Sequence, residues 1–337
     1  MITRRSMMKL VGTSGLVAAA GVPEANARTA SDVLVLVEKS AHAVSFFDAG
    51  SGQRLETVAL PEYPHELVVD SRREFAYVGH YGVKMSSTPG AGGAAVFVLD
   101  LAARKLVRTI DTQPFNRIHG MGIDAKDRLY ALSEEKAVLL GFDNPRTDQA
   151  PTRAVPTGGI KTHLFSLSRD GERAYVTGLL SHTVSLVRPH DAAAAPVVVT
   201  PGQLPESSCL SRDEKTLYVG ARKTPAVVAL DARTLAVRKT LKVDGDPLRV
   251  YPAAGDQLLV TDIVRNTVTA LSADLRPIWS VQLDGIPSAV ALHPGKPLAY
   301  VSQLGNNRVS VLDLNTRTVI GAFPTGLDPD SAALLPA

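Results

Sequence analysis

A single cysteine, Cys209, stands among 337 residues, so no internal disulfide can form and no paired-cysteine zinc motif exists. Stability must come from packing alone. Charge of one sign is also scarce in any one place. The formal net charge is +3 and no basic block occurs, which excludes the concentrated Lys/Arg stripe of a nucleic-acid binder. Beyond the N-terminal segment no apolar run is long enough for a membrane helix, so no membrane span is expected. There is no Gly-x-Ser-x-Gly elbow and no phosphate-binding P-loop. What remains, 45% hydrophobic and 20% charged residues, suits one large all-β domain.

What is present is a repeat. Short anchors recur as Ala76-Tyr77-Val78-Gly79, Ala174-Tyr175-Val176-Thr177-Gly178, Leu217-Tyr218-Val219-Gly220 and Ala299-Tyr300-Val301-Ser302. Weaker copies are Val35-Leu36-Val37-Glu38, Leu129-Tyr130-Ala131 and Leu258-Leu259-Val260-Thr261. Consecutive anchors lie 41 to 53 residues apart, and a turn and a second apolar run such as Val309-Ser310-Val311-Leu312-Asp313 follow each. A period near 40 with several short strands per copy predicts a β-propeller with one blade per repeat.

In blade 4 the expected strands, a to d from the channel outward, are 163–168, 173–177, 183–188 and 197–200. Arg169-Asp170-Gly171-Glu172 supplies a tight turn. The first repeat lacks its own strand a. The C-terminal stretch Leu327 to Leu335 reads like Gly285 to Leu292, so it is expected to complete blade 1 and close a ring of seven blades. A closed ring of this size predicts a monomer.

Residues 1–27 read as an export signal. Thr3-Arg4-Arg5-Ser6-Met7-Met8-Lys9 resembles the twin-arginine motif, a mild apolar stretch runs from Leu10 to Gly21, and Ala25-Asn26-Ala27 is a small-x-small cleavage pattern. The propeller then occupies 28–337, with a periplasmic or secreted location.

The Tyr-Val-Thr-Gly anchors, the Asp-Gly turns and the Leu-Asp strand endings resemble the YVTN family of β-propeller repeat proteins over nearly the whole mature chain. The resemblance implies the fold and says little of function. Trp279 is the only tryptophan, which sets the chain apart from the WD repeats.

Residues at the start of each strand a lie at the channel mouth. Read blade by blade, that column is His65, His119, His163, Glu206, Leu248, Ser288 and Asp330. Three imidazoles in adjacent blades, with carboxylates completing the ring, form a donor set suited to a divalent metal ion; the expected ligands are His65, His119, His163, Glu206 and Asp330. A latch role for these histidines, each bonding a backbone carbonyl, is the alternative. His80 and Tyr81, at the head of a Gly/Ser-rich insertion running to Gly93, are candidates for acid–base work under a lid to which Lys84 also belongs. Arg117, Lys161 and Arg249 would attract an anionic ligand. Cys209 reads as a packed apolar residue.

Two functions follow. One is a metal-dependent lyase or lactone hydrolase acting on a small anionic molecule. The other is a non-catalytic periplasmic propeller that binds a protein, a glycan or a metal ion.

Overall fold

The structure, a computed structural model, describes residues 31–337. The export segment expected over 1–27 lies outside the described residues. Seven four-stranded antiparallel sheets form the blades of a propeller, and no α-helix occurs among the described residues. Blade 4 is built of Thr162–Leu167, Ala174–Gly178, Thr183–Val187 and Val197–Val199, within a residue or so of the ranges read from its alternation. Closure follows the expected route. Pro329–Leu335 pairs with Val33–Glu38, from Val33↔Leu335 to Glu38↔Pro329, and becomes strand a of blade 1.

The core is divided among the interfaces between blades. Val35, Val44 and Phe46 of blade 1 pack on Leu67, Val78 and Phe97 of blade 2. Phe47 of blade 1 packs on Tyr300, Val309 and Phe323 of blade 7. Each strand b is buried on both sides, which is why the anchors read as continuous apolar runs rather than as alternation.

The anchor residues also fix one blade to the next. The Tyr175 hydroxyl donates to the carbonyl of Ala232 at 2.8 Å, Tyr218 to Ala273 at 2.9 Å and Tyr300 to Ala49 at 3.2 Å, in each case in the turn after strand c of the following blade. At the other end of the anchor, Thr177 Oγ1 donates to the carbonyl of Glu206 at 2.9 Å and Ser302 Oγ to that of Asp330 at 2.7 Å. Where the anchor ends in glycine the backbones approach instead: a Cβ on Gly79 would stand 2.7 Å from the Ile118 carbonyl, and one on Gly220 2.7 Å from that of Pro247. The repeated motif therefore seats the first residues of the neighbouring strand a, where the column lies.

Two further devices aim the column. Strand a of every blade shifts register near its start, in six of them directly after the first pairing, as between Pro64 and Leu67, Ile118 and Met121, and Thr162 and Phe165, and in blade 7 after the second, between Pro287 and Ala289. Such a bulge turns side chains away from the regular alternation. The residue before strand a is left-handed in five blades although none is glycine: Tyr63, Arg117, Lys161, Leu204 and Asp328 have φ between 51° and 54°. The carbonyls of Arg117, Lys161, Leu204 and Asp328 accept from Glu134, Leu179, Arg222 and Lys39 in the turn after strand b of the same blade, at 3.0–3.1 Å. That pairing pins the strained residue.

Candidate metal centre at the axial mouth

The column converges. The rings of His65 and His119 lie 4.1 Å apart between centroids, and those of His119 and His163 lie 3.7 Å apart. Tyr81, fully buried, closes the group with its ring 5.2 Å from His65 and 4.8 Å from His119. The three imidazoles nevertheless have different surroundings.

His163 is held by two carboxylates. Its Nδ1 is 2.8 Å from Glu134 Oε1 and its Nε2 is 2.9 Å from Glu206 Oε1. Burial works against its charge, but Glu206 and Glu134 outweigh burial and raise its pKa to about 9. The same contacts, with Arg222 at 3.1 Å, overcome the burial of Glu206 and bring its carboxyl down to about 2. Arg222 in turn binds Asp246 at 2.7 Å. The result is an alternating charge chain from Glu134 to Asp246.

His65 has its Nδ1 2.7 Å from Asp330 Oδ2, yet the N–H is not aligned for a hydrogen bond to it. Burial lowers the pKa of His65 more than Asp330 raises it. Asp330 stays ionised: burial opposes this, but His65 and the Lys39 ammonium hold its carboxyl well below the usual range.

His119 is the exception. It is 0% exposed and neither ring nitrogen has a hydrogen-bond partner. Burial, with His163 and His65 adding to it, lowers its pKa well below the ordinary value, so it is neutral. A buried imidazole with a free lone pair is a ligand waiting for a Lewis acid; left empty it is costly, because each unsatisfied buried group costs about 1–3 kcal/mol. One donor atom each from His65, Glu66 and His119 lies within 4.8 Å of the others, a spacing that a single ion can bridge.

The expected ligands thus meet at one place but divide into two groups. His65 and His119 join Glu66, which the column reading passed over, as the donor set. His163, Glu206 and Asp330 stand beside it in ion pairs. Glu66 is brought in by the bulge, which turns two successive side chains toward the axis; its Oε1 lies 2.6 Å from Arg249 Nη2, a contact between blades 2 and 6 that spans the channel.

The remaining candidates are placed as follows. The Tyr81 hydroxyl donates to Glu134 Oε2 at 2.8 Å, and burial followed by Glu134 pushes its pKa far up. His80 packs its ring 5.1 Å from Phe97, outside the group of three histidines. The Arg117 guanidinium donates to the carbonyls of Ser86, Thr88 and Gly90 at 2.7–3.0 Å, and Lys161 Nζ donates to that of Ser86 at 2.9 Å. These two cations fasten the insertion over the mouth, while Lys84 is exposed. His42 stacks on Tyr63 at 4.7 Å, and His182 accepts from the Leu204 amide. Cys209 is buried, and burial raises its thiol pKa, as fits a packed residue.

A closed ring of seven four-stranded blades with side chains converging on its axis defines a β-propeller. No family model and no curated protein matches the chain. Solved structures share the fold. A putative 6-phosphogluconolactonase from Bacteroides fragilis superposes with a TM-score of 0.71 at 17% identity, covering 92% of this chain and 99% of that one. AztD from Citrobacter koseri gives 0.66 at 11%, covering 91% and 98%. The dihydro-heme d1 dehydrogenase NirN, in complex with DHE, gives 0.64 at 13%; 88% of this chain is covered but only 64% of NirN. At such identities the likeness shows the fold alone.

Proposed function

We propose that this chain is an exported YVTN-type propeller that binds one divalent transition-metal ion at its axial mouth, through His65, Glu66 and His119, and acts as a binding protein. The observation that carries this reading is His119, fully buried with both ring nitrogens unpartnered beside two further donors. Mixed imidazole and carboxylate donors suit zinc, nickel, cobalt or copper. The ion would satisfy the orphaned nitrogen and offset the Glu66 charge. Around it, the His163–Glu206–Arg222 chain fixes the ring against which His119 stacks. Arg249 orients Glu66, as outer partners of metal ligands commonly do.

Binding is preferred over catalysis because the imidazoles are closed in from the mouth. His65 is 6% and His119 0% exposed, and Tyr81 and the pinned insertion stand around them, so from that face an ion has a place where an organic substrate does not. Lyase or lactonase chemistry is the second reading. It is favoured by the Tyr81 hydroxyl, hydrogen-bonded to Glu134 beside the donors, and by the fold shared with the 6-phosphogluconolactonase-like protein of Bacteroides fragilis. It requires the Ser86–Gly90 stretch to lift off Arg117 and Lys161. Export through residues 1–27 accords with the paired Arg4-Arg5.

Elemental analysis of the protein purified from the periplasm, followed by zinc and nickel titration after chelation, tests the binding. The expected result is one ion per chain, lost in His119→Ala and kept in His182→Ala. No stoichiometric metal, or the same content in His119→Ala, would overturn the reading.

A further inference from the structure

The Glu66–Arg249 pair does more than orient a metal donor. Both residues sit one step farther along strand a than the column, so they lie deeper in the channel than the histidines. Below them a cavity of about 1300 Å³ opens to the opposite face of the ring, where the turns carrying Arg169, Arg212 and His293 form its rim. Glu66 and Arg249 are among the residues that line it, at its inner end. The channel is therefore two compartments separated by one ion pair.

The lower compartment has a polar lining. Ser166, Ser207, Ser208 and Tyr251 are among its residues, with the Ser166 and Ser208 hydroxyls bonded to each other at 2.7 Å. The Ser207 and Tyr251 oxygens each accept from a backbone amide, that of Val250 at 2.9 Å and that of Val290 at 3.1 Å, which leaves their protons free to point elsewhere. Arg249 is 9% exposed, and its Nε has no hydrogen-bond partner. Its single strong contact is the Glu66 carboxylate, held from across the channel. A guanidinium with a single carboxylate partner, standing at the inner end of a funnel whose lining includes serines and a tyrosine, is built to receive an oxyanion.

We infer that the funnel is a second binding site, for a small organic anion whose carboxylate or phosphate group docks on Arg249 while a polar body lies against the serine-lined wall. This site takes its ligand from the face opposite the histidines. It does not require a metal. Glu66 competes with the ligand for the guanidinium, so anything that removes its charge strengthens anion binding.

Calorimetric titration of the chelator-treated full chain with inorganic phosphate and, separately, succinate tests this. Saturable binding of either supports the site, and the one that binds identifies the head group. Glu66→Gln is expected to tighten binding about tenfold, because a neutral amide no longer holds the guanidinium. The double variant Glu66→Gln/Arg249→Met leaves no stranded charge and is expected to weaken binding at least tenfold relative to Glu66→Gln. Failure of both anions to saturate, unchanged affinity in Glu66→Gln, or equal affinity in the double variant would overturn the inference. All arms are metal-free, so none of these results bears on the ion at the mouth.

Discussion

Replacing His119 by leucine should make the metal-free protein more stable. The imidazole is fully buried and its two nitrogens have no partners. Each such group costs about 1–3 kcal/mol, and an apolar side chain of similar volume removes that cost. Against this stands the loss of three ring contacts, at 3.7, 4.1 and 4.8 Å, worth about 0.5–1.5 kcal/mol each. With two nitrogens freed of that cost, the balance is a gain of about 1 kcal/mol. With an unfolding entropy of about 2.1 cal/mol/K per residue, a ring of this size gains roughly 1.5 °C for each kcal/mol, so Tm should rise by about 1–2 °C. Adding zinc or nickel at about a hundred times Kd should reverse the order, because wild type then gains about 2.7 kcal/mol and the variant gains nothing. Thermal unfolding followed by circular dichroism, with chelator and then with metal, measures both. If His119→Leu melts several degrees below wild type in chelator, and metal moves the two proteins equally, His119 is a packing residue and the ligand argument fails.

Two other outcomes follow from the structure. The pKa of His163 is raised from 6.5 to about 9, so its charge contributes stability that is complete below about pH 6.5 and is lost as pH rises through 9, roughly 3 kcal/mol in all; urea midpoints of metal-free wild type should fall over that window, and those of His163→Gln should stay level. Deleting residues 328–337 removes strand a of blade 1, its ladder to Val33–Glu38 and the buried Leu334, a loss of at least about 5 kcal/mol; a truncated chain that melts like the full one would show that closure contributes nothing.

How much was legible depended on what the repeat could carry. The period placed every blade, and the likeness of residues 327–335 to 285–292 gave the closing strand, because equivalent positions of a propeller are equivalent in space. For the same reason the period alone places the column histidines side by side in adjacent blades, where their rings meet. Glu66 could not, because period-two alternation sends the residue after His65 to the other face, and only the bulge between Pro64 and Leu67 brings it back. Lys39 was missed because the first repeat is degenerate just where it turns. Arg117 and Lys161 were legible as cations near the mouth. That they grip the carbonyls of Ser86, Thr88 and Gly90 depends on the course of a loop that no repeat specifies.

The pairing of Val33–Glu38 with Pro329–Leu335 carries a consequence for biosynthesis. Adjacent blades can dock as soon as both have emerged from the ribosome, but the sheet of Val33–Glu38 waits for Pro329–Leu335. Its inner edge stays bare until that strand emerges, and the joining event spans about 300 residues of sequence, a slow step for a chain of this topology. A protein wired this way completes its ring only when that strand arrives, so any machinery that inspects folding has a single late event to monitor.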